Sequence, residues 1–263
     1  MSDVLERALR RDRAIVVTAL ALVTVLAWAY LLAGAGMGMS AMEMTRHSMM
    51  PMPMMQHVQW GFSYAVLMFF MWWIMMIAMM LPSATPVILL AAGINRRSRL
   101  DQAPYGSAAA FTTGYLLVWA LFSLLATGAQ WGLETLGWLT PMMVSASDLL
   151  AGAILVVAGV WQFSPWKSAC LSHCRSPVQF LTERRRAGNI GATMMGMHHG
   201  LFCLGCCWFL MGLLFVGGVM NLYWIVGLAI YVAAEKLLPG GPRTAKLLGV
   251  LLIGWGVGVL AGL

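Results

Sequence analysis

The chain has 263 residues, of which 61% are hydrophobic and 10% charged, where a water-soluble domain averages about 45–50% apolar and about 25% charged. A soluble globular fold is excluded on that arithmetic. Sixteen Lys and Arg against nine Asp and Glu give a net charge of +7, and the positions of those cations, rather than their number, decide what they mean.

A helix needs ~20 mostly apolar residues to cross a hydrocarbon core of about 30 Å. Seven stretches read that way: 14–35, 60–81, 108–131, 148–163, 190–219, 222–234 and 247–263. The fourth and sixth are short. The expected fold is all-α, a single polytopic membrane domain over residues 1–263 with no soluble domain left over. The first stretch follows a basic segment and ends in the small residues Ala33, Gly34 and Ala35, as a signal peptide would. Its apolar run exceeds the ~7–15 residues of a cleavable signal, and Trp28 and Tyr30 sit where interfacial anchors belong, so a retained helix is expected.

The segment 37–57 follows. It holds nine methionines (Met37, Met39, Met42, Met44, Met49, Met50, Met52, Met54, Met55) and two histidines, His47 and His57. Pro51 and Pro53 oppose a regular helix in its second half. Unbranched apolar side chains gain little in a solvated loop, but thioether sulfur is a neutral soft ligand that suits Cu(I) and needs no deprotonation. Met is also an adaptable apolar filler that could lie on a bilayer or a partner. The Met-x-Met pairs interspersed with imidazole favour a flexible external loop that collects and exchanges Cu(I) or Ag(I).

In the second span Met68, Met71, Met75 and Met79 fall three, four and four apart, on one face of a helix. Met76 and Met80 form a neighbouring stripe. Such a row serves packing as readily as ligation. At the cytoplasmic end, Cys170, His173 and Cys174 lie between the fourth and fifth spans, a short soft-metal cluster without the four-ligand spacing of structural zinc. The fifth span carries Met195, His199, Cys203, Cys207 and Met211 at intervals of four, with Cys206 three beyond Cys203. Coordinating groups at membrane depth point to function because their desolvation is costly, although His198, His199 and the small Cys and Gly residues could equally serve helix packing. Counting ~1.5 Å per residue from the two faces places Cys203 near Met71, and His199 near Met75 and Met79, if the two helices lie side by side.

Cations accumulate on the cytoplasmic side of membrane spans. With seven crossings, 15 of the 16 Lys and Arg fall on one side, among them Lys167 and Lys236, and only Arg46 on the other. The amino terminus is then cytoplasmic, the carboxyl terminus external, and the basic charge needs no nucleic acid. Glu134, Asp148 and Glu235 lie near helix ends, where solvation is the ordinary explanation.

Three segments carry a resemblance: Met71-Trp72 through Ala78-Met-Met-Leu-Pro-Ser83, residues 167–177 with Cys170 and Cys174, and Gly200-Leu-Phe-Cys-Leu-Gly-Cys-Cys-Trp208 with Met211. From about Trp60 onward the chain resembles a family of bacterial inner-membrane proteins described as predicted metal-binding integral membrane proteins. The resemblance implies a metal and an inner-membrane, multi-pass location.

The expectation is therefore a copper-handling membrane protein, not an enzyme, with no catalytic residues and with copper as Cu(I). The external loop would capture the ion, and helices two and five would bind or transfer it through Met68, Met71, Met75, Met79, His199, Cys203, Cys206, Cys207 and Met211. Its partners would be the lipid bilayer and a periplasmic copper chaperone or membrane cuproenzyme. No Walker phosphate loop or Asp-Lys-Thr-Gly sequence is present, so no ATP is expected to drive it. Thiol redox chemistry at Cys203-x-x-Cys206 coupled to a quinone, haem ligation by His198 or His199, and an assembly role in a membrane complex are the alternatives.

Overall fold

A computed structural model describes residues 2–48, 59–97, 104–176 and 188–262. Among the described residues the chain is helical throughout, apart from short connections and a single antiparallel bridge between Leu139 and Ser145. The helices are α1 (Ser2–Leu32), α2 (Ala41–Ser48), α3 (Phe62–Arg97), α4 (Pro104–Thr135), α5 (Asp148–Trp161) and α6 (Pro165–Arg175). After the undescribed 177–187 come α7 (Gly188–Gly212), the short α8 (Leu214–Gly217), α9 (Leu222–Leu237) and α10 (Gly241–Ala261).

Among the described residues five segments are long and apolar enough to cross a membrane: Arg13–Leu32, Phe62–Gly93, Ala108–Thr135, Gly188–Gly217 and Gly241–Ala261. Helices α5 and α6 meet at a 65° bend and together form either a broken span or a re-entrant loop, which makes the number five or six. This is short of the seven expected. The sixth expected crossing corresponds to α9, whose 16 residues reach only about 24 Å. The second runs past its expected end, because Pro82 and Pro86 lie inside α3 rather than terminating it; packed neighbours and nearby hydroxyls make proline tolerable in membrane helices.

Residues 41–48 of the expected flexible loop form helix α2. Gly34, at φ 90°, and Ala35, at φ 51°, turn the chain after α1, and Ser40 with Glu43 forms a reciprocal capping box that starts α2. The Ser40 amide and hydroxyl both donate to the Glu43 carboxylate and hold it below its ordinary pKa. Thr45 Oγ1 accepts the Leu222 amide at 2.9 Å, and Asn221, which caps α9 through Tyr223, donates to Ser48 Oγ at 3.3 Å. Helix α2 is thereby docked onto the start of α9. The second half of the Met-rich segment, with Met49, Met50, Met52, Met54, Met55 and His57, lies outside the described residues.

Glycines set the two closest helix pairings. Between α4 and α7, a Cβ at Gly114 would collide with the Thr193 carbonyl, and one at Gly196 with that of Phe111. Between α5 and α10, a Cβ at Gly256 would stand 2.9 Å from the Gly152 carbonyl oxygen, and one at Gly159 2.9 Å from that of Gly249. In lipid, where apolar burial gives little drive for helices to associate, such backbone approach supplies the van der Waals contact. Gly196→Val is expected to destabilise the protein by about 1–3 kcal/mol or more through overpacking and to shift α7 off α4; Gly256→Leu is expected to cost a similar amount while leaving the thiol environment on α7 unchanged. Thermal unfolding in detergent, read together with thiol accessibility, checks both.

Candidate metal centre

Helix α7 buries Met195, His199, Cys203, Cys206, Cys207 and Met211 on its inner face, as the four-residue spacing requires. On α3, Met68, Met71, Met75 and Met79 are all buried, and so are Met76 and Met80. The two rows do not approach in the register expected from counting inward from the faces. Helix α4 packs extensively against both, and Cys203 is linked to Met80, the last methionine of the row on α3, through Lys236 and Tyr115. Its Sγ lies 3.0 Å from Lys236 Nζ and 3.1 Å from the Tyr115 hydroxyl. The same ammonium reaches Ser83 Oγ at 3.5 Å and Met80 Sδ at 3.9 Å, and the Tyr115 hydroxyl donates to the Met80 carbonyl at 3.3 Å. The difference arises because α3 continues past Leu81: Met80 is close to the middle of Phe62–Gly93, and Cys203 close to the middle of Gly188–Gly217. Lys236 and Tyr115 bridge these two positions near mid-span.

Helix α6 contributes the next thiol. Ser164 accepts the Trp166 amide and Pro165 opens the helix, and the 65° bend from α5 brings α6 against α7. Cys174 is buried there, on the helix packed against the one that carries Cys203 and Cys206. It is therefore part of the buried cluster rather than of a separate cytoplasmic one. Cys170 is half-buried, its sulfur accommodated by Gly205, where a Cβ would stand 2.8 Å away. His173 does not join: its ring stacks on Phe202 with centroids 4.1 Å apart, and its Nδ1 lies 2.8 Å from the Ala169 carbonyl. His199 is buried against the rings of Phe111 and Tyr115, at 6.0 and 5.7 Å.

All five cysteines are free thiols, and those of Cys206 and Cys207 donate to the Cys203 carbonyl at 3.0 and 2.9 Å. Among the described residues no group of three or more His, Cys, Asp or Glu is arranged to hold a metal. The arrangement offers instead cysteine sulfurs from two helices, a thioether and an ammonium. That donor chemistry is soft, and thiolate and thioether ligands favour Cu(I).

Two charged residues expected in a cytoplasmic loop are buried. Lys167 pairs with Glu235 at 2.6 Å and also donates to Gln162, while Lys236 faces Cys203. Neither serves as a solvated marker of topology. Glu235, expected to be solvated, is buried as well; it accepts from Tyr231 at 3.3 Å, and its Oε2 has no hydrogen-bond partner among the described residues. At the other end of the methionine row, Gln130 donates to Met68 Sδ at 3.4 Å and to Glu134 at 2.9 Å, and accepts from Trp72 at 2.8 Å. Trp60 completes this network at 2.7 Å from Glu134. In the Met-rich segment Met44 is buried, Met37 and Met39 are half-buried, and Met42 and His47 are exposed. Sequence reasoning missed Lys236 and Tyr115 as neighbours of Cys203, and Ser83 as a neighbour of Lys236. The available signal was Glu235-Lys236 lying between apolar pairs, Ala233-Ala234 and Leu237-Leu238, within one helix.

Long apolar helices compatible with membrane insertion, closed around a buried cluster of thiol, thioether and ammonium groups, define a helical membrane-type bundle with a soft-donor interior. A profile of the PpoB2 family, described as copper chaperones, matches residues 69–259, and the chain belongs to that family. The match covers most of α3 and runs through nearly all of α10. No curated protein and no solved structure matches the chain significantly.

Breaking a buried ion pair by removing one partner costs about 3–5 kcal/mol, whereas replacing both with apolar groups is often neutral. Lys167→Met is therefore expected to be strongly destabilising, and Lys167→Met combined with Glu235→Leu to recover most of the loss. Detergent-solubilised melting curves of the two variants check the sign and the recovery.

Proposed function

We propose that this copper-chaperone family member handles Cu(I) inside the bilayer of the bacterial inner membrane. The Met-rich segment captures the ion on the external side, and the soft donors of α3 and α7 hold or transfer it. The ion then passes to a periplasmic copper chaperone or a membrane cuproenzyme. The reading rests on one observation above the others, the convergence of Cys203 with Cys174, Lys236, Tyr115 and Met80 near the middle of the two spans. Buried polar and ionisable groups at that depth are costly unless they serve a purpose, and the cysteine and methionine sulfurs here are of the kind that takes a soft monovalent cation.

The methionine row supports transfer. Met68 to Met80 spans twelve residues, or about 18 Å along α3, from the Gln130–Glu134 network at one end to the Lys236–Cys203 contact at the other. Thioethers between these ends are neutral, so an ion exchanging along them alters no protonation.

Cys203→Ser, Cys206→Ser and Cys207→Ser are each expected to lower the copper bound by anaerobically purified protein, with Cys203→Ser the most severe. Deleting residues 37–57 is expected to leave sulfur-dominated Cu(I) coordination in X-ray absorption. Unchanged stoichiometry and affinity in all three serine variants would remove the intramembrane site from the proposal.

A further inference from the structure

Given the copper reading proposed above, on which this inference rests, the placement of Lys236 bears on which ion the buried cluster holds. Its ammonium is buried, with Cys203 Sγ at 3.0 Å, Ser83 Oγ at 3.5 Å and Met80 Sδ at 3.9 Å around it. Glu235, the preceding residue in sequence, is taken by Lys167 at 2.6 Å. Among the described residues no carboxylate lies within ion-pair distance of Lys236, whose neighbours are sulfur and hydroxyl. Lys167 and Glu235 cancel each other, which leaves the ammonium of Lys236 as a positive charge facing the thiols.

We propose that Lys236 is the counter-charge that lets this site hold a monovalent soft ion, Cu(I) or Ag(I), as a two-thiolate complex of Cys203 and Cys174. These two residues come from helices packed against each other, and both are buried. Two thiolates and a monovalent ion carry one negative charge in sum, and the ammonium beside Cys203 brings the buried assembly to neutrality. The Met80 thioether can approach without changing that balance. A divalent ion on the same two thiolates is already neutral, and the ammonium would then stand uncompensated in a low-dielectric interior, at considerable cost. Lys236 thus discriminates by charge where the sulfurs discriminate by softness. On binding, each ligating thiol gives its proton to the buffer and no electron is transferred.

The test uses the full chain, purified anaerobically in detergent, as wild type, Lys236→Met and Lys236→Gln, with monodisperse elution required of each. Cu(I) and Zn(II) affinities are measured separately by competition with chromophoric chelators. Neutral replacements at 236 are expected to weaken Cu(I) binding about 10–100-fold, the range for residues that support metal ligands from outside the coordination sphere. Zn(II) binding should weaken less or strengthen, so the preference for Cu(I) over Zn(II) falls. Parallel losses for both metals would reduce Lys236 to a packing role and overturn the inference, as would unchanged Cu(I) affinity in both variants. A wild-type protein that binds no Cu(I) would sink the copper reading itself, and this inference with it; a copper-binding wild type with an unaltered Cu(I)-to-Zn(II) preference at 236 would sink only the inference.

Discussion

Charged and polar side chains placed inside an apolar bundle must find partners on other helices, and that requirement governs how this molecule is assembled. In water a misplaced Lys or Glu can turn outward, but in hydrocarbon there is nothing to solvate it. Lys167, Glu235 and Lys236 are all buried, and their partners lie across helix boundaries. Lys167 joins α6 to α9, Lys236 joins α9 to both α3 and α7, and Arg175 adds a hydrogen bond from α6 to the Glu235 carbonyl at 2.7 Å. Gln130 does the same for α3 and α4 at the far end of the methionine row. Apolar contact among these helices is nearly indifferent to register, since lipid tails are as apolar as leucine. The polar contacts are not indifferent, and each fixes how far one helix slides along the next.

The same requirement explains which parts of the molecule could be read from the sequence. The long apolar helices were legible because ~20-residue hydropathy runs have few other causes, and so was the inner face of α7, because intervals of four place His199, Cys203 and Cys207 in one row. Helix ends were less legible. Pro82 would end a helix in water, yet α3 continues through it to Arg97. Lys167 and Lys236 followed a positional rule for cations that carries no information about burial, and both proved to be interior. The bend between α5 and α6 was not read from the sequence, and only the fold carries Cys174 back to α7. Tyr115, one aromatic among many in α4, had nothing in its sequence context to mark it as the neighbour of Cys203.

The two halves of the proposed copper path differ in how they are held, and α9 connects them. At its start, Asn221 and Leu222 bind α2 through Ser48 and Thr45; near its end, Glu235 and Lys236 enter the thiol cluster. The interval from Leu222 to Lys236 is about 21 Å of regular helix. A helix this short does not meet the length expected of a crossing, yet its position is fixed at both ends by hydrogen bonds and an ion pair to other elements. Its length therefore sets the distance between α2 of the Met-rich segment and the buried sulfurs, and α3 covers a comparable distance with its row of methionines. The Met-rich segment and the cluster are thus spaced by backbone geometry, and an ion on the proposed copper path would follow side chains whose separation the fold fixes.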